Sequence, residues 1–352
     1  MERLGDYTQS LAREQRFRSI SRGLAAVGVA GLTRQHPDEI IERANWHKDR
    51  LAVDIAHRAV DPTGTSDFTA ASRLSFLYDL APRSPAIRLF EQCVHVDLTG
   101  VQTVNVPSAT TMDVPIFYAA GAPFRMFNGA FTNAAVGPTC KVMIGAAVTN
   151  DLEFANPENA STIVGRCISA QAGKSLATET FSTTAASEIR SAGILADVVP
   201  ITASAATGFD AMVEDIKNLA GAIAEAGGDS DRMMIFAAPR QAMSLKLSAG
   251  LKFNHTVIAT NALDDGTVVG LDPNGIACGY SGVPEISLAR EAVAHFEDTT
   301  PLALSAVGTP NTVAAPLLSA WQQNLLFIKM KTNLCWQVLV PGIVQVVNDV
   351  VW

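Results

Sequence analysis

A short apolar strand running into a long amphipathic helix, Lys141 to Phe181, constrains this chain more than any other stretch. Lys141-Val-Met-Ile-Gly-Ala-Ala-Val-Thr-Asn150 is apolar and β-branched in the manner of a buried strand. Asp151-Leu-Glu-Phe-Ala then leads to Asn156-Pro157, an N-cap residue followed by proline at the first helical position, so a helix is predicted from there. Along it Ala160, Val164, Ile168, Ala172 and Leu176 share one i, i+4 row, flanked by Ile163, Cys167 and Phe181. The stripe is about 25 residues long, or ~37 Å. In a chain of mixed structure such a helix acts as a beam on which sheets are laid, with Ile163, Val164, Ile168 and Leu176 as its expected core.

Composition bounds the function class. With 352 residues, 48% apolar and 17% charged, the chain can bury a substantial core in one large or two ordinary domains. Its formal charge of −8 is uneven: residues 1–60 hold ten Lys or Arg against eight Asp or Glu, and the remainder 16 against 26. An acidic body argues against a nucleic-acid-binding surface, which needs clustered cations to release counterions. The cysteines Cys93, Cys140, Cys167, Cys278 and Cys335 are odd in number, far apart and mostly in apolar runs, as reduced core thiols are. No signal peptide is read at the N-terminus, and the Leu24–Leu32 run is too short and glycine-rich to span a bilayer. A reducing cytoplasm is therefore expected, which makes the sequons at Asn159 and Asn254 coincidences.

Residues 1–60 read as two helices, Asp6–Leu24 and Asp38–Val60, neither with a broad apolar face. They fit either an arm lying on another molecule or a small helical subdomain on its own body. Asp61–Asp67 is a linker by composition. From Ser84 to Pro115 the pattern turns to strands, Cys93–Leu98 and Val101–Pro107. Phe117–Thr139 follows, rich in glycine and proline yet carrying Phe117, Tyr118, Phe124, Arg125, Met126, Phe127 and Phe131. A hairpin this apolar must bury those side chains, against a neighbouring subunit or over its own core. Beyond the long helix, Thr183–Ser204 is loop and strand, Phe209–Ile223 an amphipathic helix ended by Gly227-Gly228, and Arg232–Ala238 a buried strand. Pro239 opens a short helix to Leu247; Thr256–Thr260 and Thr267–Leu271 are strands joined through Asp264-Asp265-Gly266, and Glu285–Ala289 is another. Leu325–Lys331, Leu334–Val340 and Ile343–Val347 close the chain as strands around a Pro341-Gly342 turn. Strands and helices come in blocks, an α+β layout without βαβ alternation.

No catalytic constellation stands out. Gly173-Lys174-Ser175 ends like a phosphate loop, but position 168 is isoleucine and the motif sits inside the predicted helix, where its N–H groups are already bonded. None of the six histidines has partners at zinc spacing. Cys93 and His95, two apart on a strand, face one side and form either a nucleophile–base or ligand pair or, the favoured reading, part of the core. Asp264-Asp265-Gly266 lacks the spaced ligands and closing glutamate of a calcium loop and reads as a turn. Neither metal nor cofactor is expected.

Basic helical arm, apolar hairpin, long helix and α+β remainder form the order of a protein whose product is an assembly. Over roughly residues 85–352 the chain resembles major capsid proteins of tailed bacteriophages with the Hong Kong ninety-seven fold. Val114-Pro-Ile-Phe-Tyr-Ala-Ala-Gly-Ala-Pro123 through Cys140 resembles that family's extended loop, and Lys141–Phe181 its strand and spine helix. Met233-Met-Ile-Phe-Ala-Ala-Pro239 resembles the strand, proline and helix of the axial domain, Gly279–Ser287 its later glycine-proline strand, and Trp321–Lys331 with Trp336 and Pro341-Gly342 the strands that close the peripheral domain. The resemblance implies an N-terminal helical arm (1–84), a first peripheral part (85–113), an extended β-hairpin loop (114–140), a peripheral domain with the spine helix (141–204), an axial domain (205–315) and closing strands (316–352). It also implies a non-enzymatic shell protein of the virion, built in the host cytoplasm into pentamers and hexamers, which form an icosahedral container for double-stranded DNA. Portal and decoration or scaffolding proteins are the implied partners, with no membrane. Ala119-Ala-Gly-Ala departs from the more acidic start usual in that loop, and the first 60 residues match poorly; an arm that is retained is the expectation. The alternatives are an encapsulin-like compartment shell, or a metabolic enzyme with its site around Cys93 and His95.

Overall fold

The structure is a computed structural model and describes residues 2–33, 35–60, 84–111, 130–149, 157–248, 253–289, 291–294, 305–306, 312–313 and 318–352. Its helices are α1 (Glu2–Thr33), α2 (Pro37–Arg43), α3 (Arg50–Val60), α4 (Pro85–Phe90), α5 (Pro157–Thr180), α6 (Gly208–Glu225) and α7 (Pro239–Ser248). The strands are β1 (Val94–Asp97), β2 (Val104–Thr111), β3 (Ala130–Val136), β4 (Cys140–Thr149), β5 (Met234–Ala237), β6 (Thr256–Ala259), β7 (Val268–Leu271), β8 (Ile276–Ala289), β9 (Val293–Ala294), β10 (Ser305–Ala306), β11 (Thr312–Val313), β12 (Leu318–Ser319), β13 (Leu325–Val338) and β14 (Val344–Val347). Two compact units share them: Met1–Pro82, Val142–Ala172 and Val283–Thr332 form the first, Arg83–Lys141, Gly173–Gly282 and Asn333–Trp352 the second. One four-stranded sheet has the order β1-β8-β13-β4; β9 pairs with β12 and β10 with β11.

In the first unit α1 runs well past the expected end at Leu24. The run that follows is alanine, glycine and valine, small enough for the helix to be enclosed, and Leu24, Ala25, Ala26, Val27, Val29 and Ala30 are all buried. The helix expected over Asp38–Val60 is two helices. Asn45 takes a φ of 59° after α2, and Asp49 caps a new start by accepting the Ala52 N–H at 3.3 Å. Arg22 ties α1 to this corner, 3.3 Å from the Asp49 carboxylate and 5.7 Å from the centre of the Trp46 ring. Residues 20–56 thus pack as a helical subdomain within their own unit. Gly165 of α5 faces Ser21 of α1, and a Cβ there would strike the serine hydroxyl, so glycine permits the close crossing. Leu326, Ile328 and Met330 form the buried row of β13, with Gly28 of α1 3.8 Å, by a notional Cβ, from Ile328.

The second unit begins with a helix where strands were expected from Ser84: Pro85 at the first helical position starts α4, which buries Ile87, Leu89 and Phe90. Phe90 stacks on Trp336 at 5.6 Å between ring centres. β1 runs parallel to β8, Val94 opposite Ala277. A second sheet has the order β14-β7-β5-β6, with β5 parallel to β6 and antiparallel to β7. The Asp264–Gly266 turn closes with the Thr267 N–H donating to the Asp264 carbonyl at 3.1 Å, yet β6 and β7 do not pair, because β5 lies between them. β14 joins this sheet beside β7. Segment 183–204 contributes only isolated bridges, Ser187 to Arg190 and Ile201 to Val347. The strands expected at Leu325–Lys331 and Leu334–Val340 are one, since Thr332-Asn333 interrupts the apolar pattern without a glycine or proline to break the ladder.

Candidate functional site

The hairpin expected over residues 114–140 begins earlier in the chain: its first leg is β2, which pairs antiparallel with β3, Val104 opposite Val136 and Thr111 opposite Ala130, with a register shift between Ala109 and Thr111. Eight residues of β2 span ~26 Å. At its root one face is apolar: Val104, Val106 and Ala134 pack against a core of Leu98, Val136, Ala277, Cys335 and Leu339. The other face exposes Asn105, Pro107, Asn133 and Ala135. Gly279 of β8 sits beneath this root, where a Cβ would lie 2.6 Å from Cys335 Sγ and 2.8 Å from Leu98 Cδ1. Phe117, Tyr118, Phe124, Arg125, Met126 and Phe127 lie outside the described residues; the backbone of Phe131 is in β3 opposite Ala109.

Of the predicted stripe, Ile168, Ala172, Leu176 and Phe181 are buried, and so is Ala177, which the stripe did not include; the side chains of Ile163, Val164 and Cys167 lie outside the described residues. Gly173-Lys174-Ser175 is helical; Lys174 is exposed and the Gly173 carbonyl accepts the Ser84 hydroxyl at 3.0 Å. That leaves no loop to cradle a phosphate.

The thiols are enclosed. Burial, with the Asp272 carboxylate adding to it, pushes the Cys93 thiol far above its ordinary range. Burial raises Cys278 likewise, with Cys93 and Cys335 nearby adding to it. Burial pushes Cys335 up to about 11, against a backbone hydrogen bond at Gly279 that lowers it and a contribution from Cys140 that raises it. At neutral pH these groups are thiols, not thiolates, and so poor nucleophiles. Cys93 precedes β1 and is buried, whereas His95 is exposed on it with Nε2 2.7 Å from the Phe90 carbonyl, so the two do not share a face. Among the described residues no group of three or more His, Cys, Asp or Glu could hold a metal, and no helix is long and apolar enough to cross a membrane.

Two features escaped the sequence reading. The contact of Gly279 with Cys335 joins residues 56 apart, and nothing local signals it. Asp215, 1% exposed, accepts the Ser204 N–H and the Trp352 indole N–H, both at 2.7 Å. Its signal was present, a carboxylate set within the buried row of α6.

No family model matches the sequence, and no curated protein does. Solved structures do match. A chain from Mycobacterium phage Adephagia aligns with 80% of this chain and 98% of its own length, at TM-score 0.52 and 12% identity. One from Mycobacterium phage Cain covers 82% of this chain and 100% of its own at 0.51 and 12%, and one from Mycobacterium phage Bobi 74% and 89% at 0.51 and 13%. The fold is one shared with these phage chains. At such identity the likeness is one of architecture, and the shared architecture extends over nearly the whole length of the Adephagia and Cain chains.

Proposed function

We propose that the chain is a major capsid protein of a tailed phage, which self-assembles into rings and then into an icosahedral shell around double-stranded DNA. The architecture shared with a phage chain, over 80% of this chain and 98% of the Adephagia chain, is the observation that supports the reading most, together with the sequence resemblance to tailed-phage capsid proteins. The hairpin supports it: a two-stranded ribbon with an apolar root and an aromatic-rich segment at residues 112–129 suits a reach across a neighbour. In rings each subunit uses two different faces, so individually modest contacts of about 1,000 Å² sum over a closed surface. Portal, scaffolding or decoration proteins are the partners of such a shell. An acidic body would enclose DNA without reading its sequence.

The test uses the paired ends of the hairpin. Thr111 and Ala130 are directly opposite, so an Asn-Gly turn can replace residues 112–129 and still close the ribbon. The intact protein is expected to give megadalton species or rings by gel filtration and negative-stain microscopy, and the shortened one to stay folded without assembling. Shells of normal size from the shortened chain would remove the hairpin from the mechanism. An intact protein that remains monomeric at all concentrations would overturn the shell reading.

A further inference from the structure

In the second unit, the β14-β7-β5-β6 sheet carries α6 over β7 and β14 and α7 over β5 and β6, so the two helices sit at opposite ends of one sheet. They present opposite chemistry. α7 turns Gln241, Ala242 and Leu245 inward and leaves Arg240, Met243, Lys246 and Leu247 outward, with Met243 57% and Leu247 77% exposed. At 100° per residue those four fall within an arc of about 120°, an apolar pair flanked by two cations. α6 exposes Phe209, at 57%, together with Asp210, Glu214 and Glu225; Lys217 shares that surface and leaves it net acidic.

The Arg240 to Asp265 pair, 3.8 Å apart with both side chains mostly in water, engages α7 only weakly. Two large apolar side chains one turn apart, more than half exposed in a chain of charge −8, need a partner that is apolar and negative. The outer face of α6 has that composition. The α7 face cannot pair with its own copy without setting cations against cations, which excludes an isologous contact. Unlike faces that complement each other from opposite ends of one body generate head-to-tail contacts, and these close into rings when the rotation permits.

We propose that the Arg240–Leu247 face of α7 docks on the Phe209–Glu225 face of α6 in the next copy of this chain, and that this contact sets the ring. The inference rests on the shell reading above and names the surfaces it would use.

The experiment compares full-length proteins by sedimentation velocity, with circular dichroism as the folding control. Arg240→Glu with Lys246→Glu, and separately Asp210→Lys with Glu214→Lys, are expected to lose the ring species, raising the concentration needed for it at least about tenfold through like-charge repulsion. Combining all four exchanges the charges at these positions across the contact and is expected to bring the rings back. Met243→Ser with Leu247→Ser, which alters no charge and no buried side chain, is expected to weaken the ring as well. Rings that persist in the two charge-reversed variants or in the serine variant, or a quadruple variant no better than its parents, overturn the proposal while leaving the shell reading intact. A wild-type protein that never exceeds a monomer defeats both.

Discussion

The indole N–H of Trp352 donates to Oδ2 of Asp215 at 2.7 Å, a bond between residues 137 apart in sequence. The other carboxylate oxygen accepts the backbone N–H of Ser204 at 2.7 Å, so one buried side chain on α6 holds two distant segments. Removing it as Asp215→Ala strands both donors and is expected to cost about 1–3 kcal/mol in urea unfolding. Trp352→Phe, which removes one of the bonds, should cost about 1 kcal/mol. An unchanged midpoint in the alanine variant would contradict the hub.

Gly279→Ala places a methyl group 2.6 Å from Cys335 Sγ and 2.8 Å from Leu98 Cδ1. Overpacking of this kind costs about 1–3 kcal/mol. The expected loss is partly recovered by adding Cys335→Ala, which makes room on the other side of the contact. A double-mutant cycle checks it, and strict additivity would count against the contact.

The buried thiols predict a base-side loss of stability. Their folded pKa values are raised, so their contribution is fully present below the unfolded value of 9.0 and is lost as pH climbs toward the folded value, about 11 for Cys335. Denaturant midpoints are expected to fall from pH 9 to pH 11. Native protein at pH 8 should react slowly with a thiol reagent at Cys93, Cys278 and Cys335, and rapidly only after urea is added. Fast native labelling of Cys278 would be incompatible with its full burial.

Ile168 is 2% exposed on α5. Ile168→Asp places an unpaired carboxylate in that interior and is expected to abolish soluble expression, with Ile168→Val costing only about 0.5–1.5 kcal/mol. Normal yield and melting temperature of the aspartate variant would remove Ile168 from the core.

The elements legible in the sequence were those whose signals are local. Asn156-Pro157 and the Ile168, Ala172, Leu176 row located α5 because capping and periodicity act within a few residues. The same logic found α6, β5, α7 and the start of β2, but placed the hairpin after β2 instead of beginning with it. It misjudged the N-terminal region, since the burial of Leu24–Ala30 depends on small side chains meeting α3 and β13, and the break at Asn45 is one φ angle in an otherwise helical pattern. It split β13 because Thr332-Asn333 is polar, although a strand continues through polar residues wherever its ladder partners persist. The placement of β5 between β6 and β7, and the seat of Gly279 on Cys335, are long-range facts with no local trace.

The boundary between the two units cuts the chain at five places, after residues 82, 141, 172, 282 and 332. No contiguous fragment therefore contains one whole unit and nothing of the other. Ribosomal synthesis cannot finish the first unit until residue 332 has emerged, by which point most of the second has also been made. A single proteolytic nick cannot release either as an intact piece. A fold wired this way is inherited, expressed and degraded as one object, and truncation libraries of it should yield no soluble half.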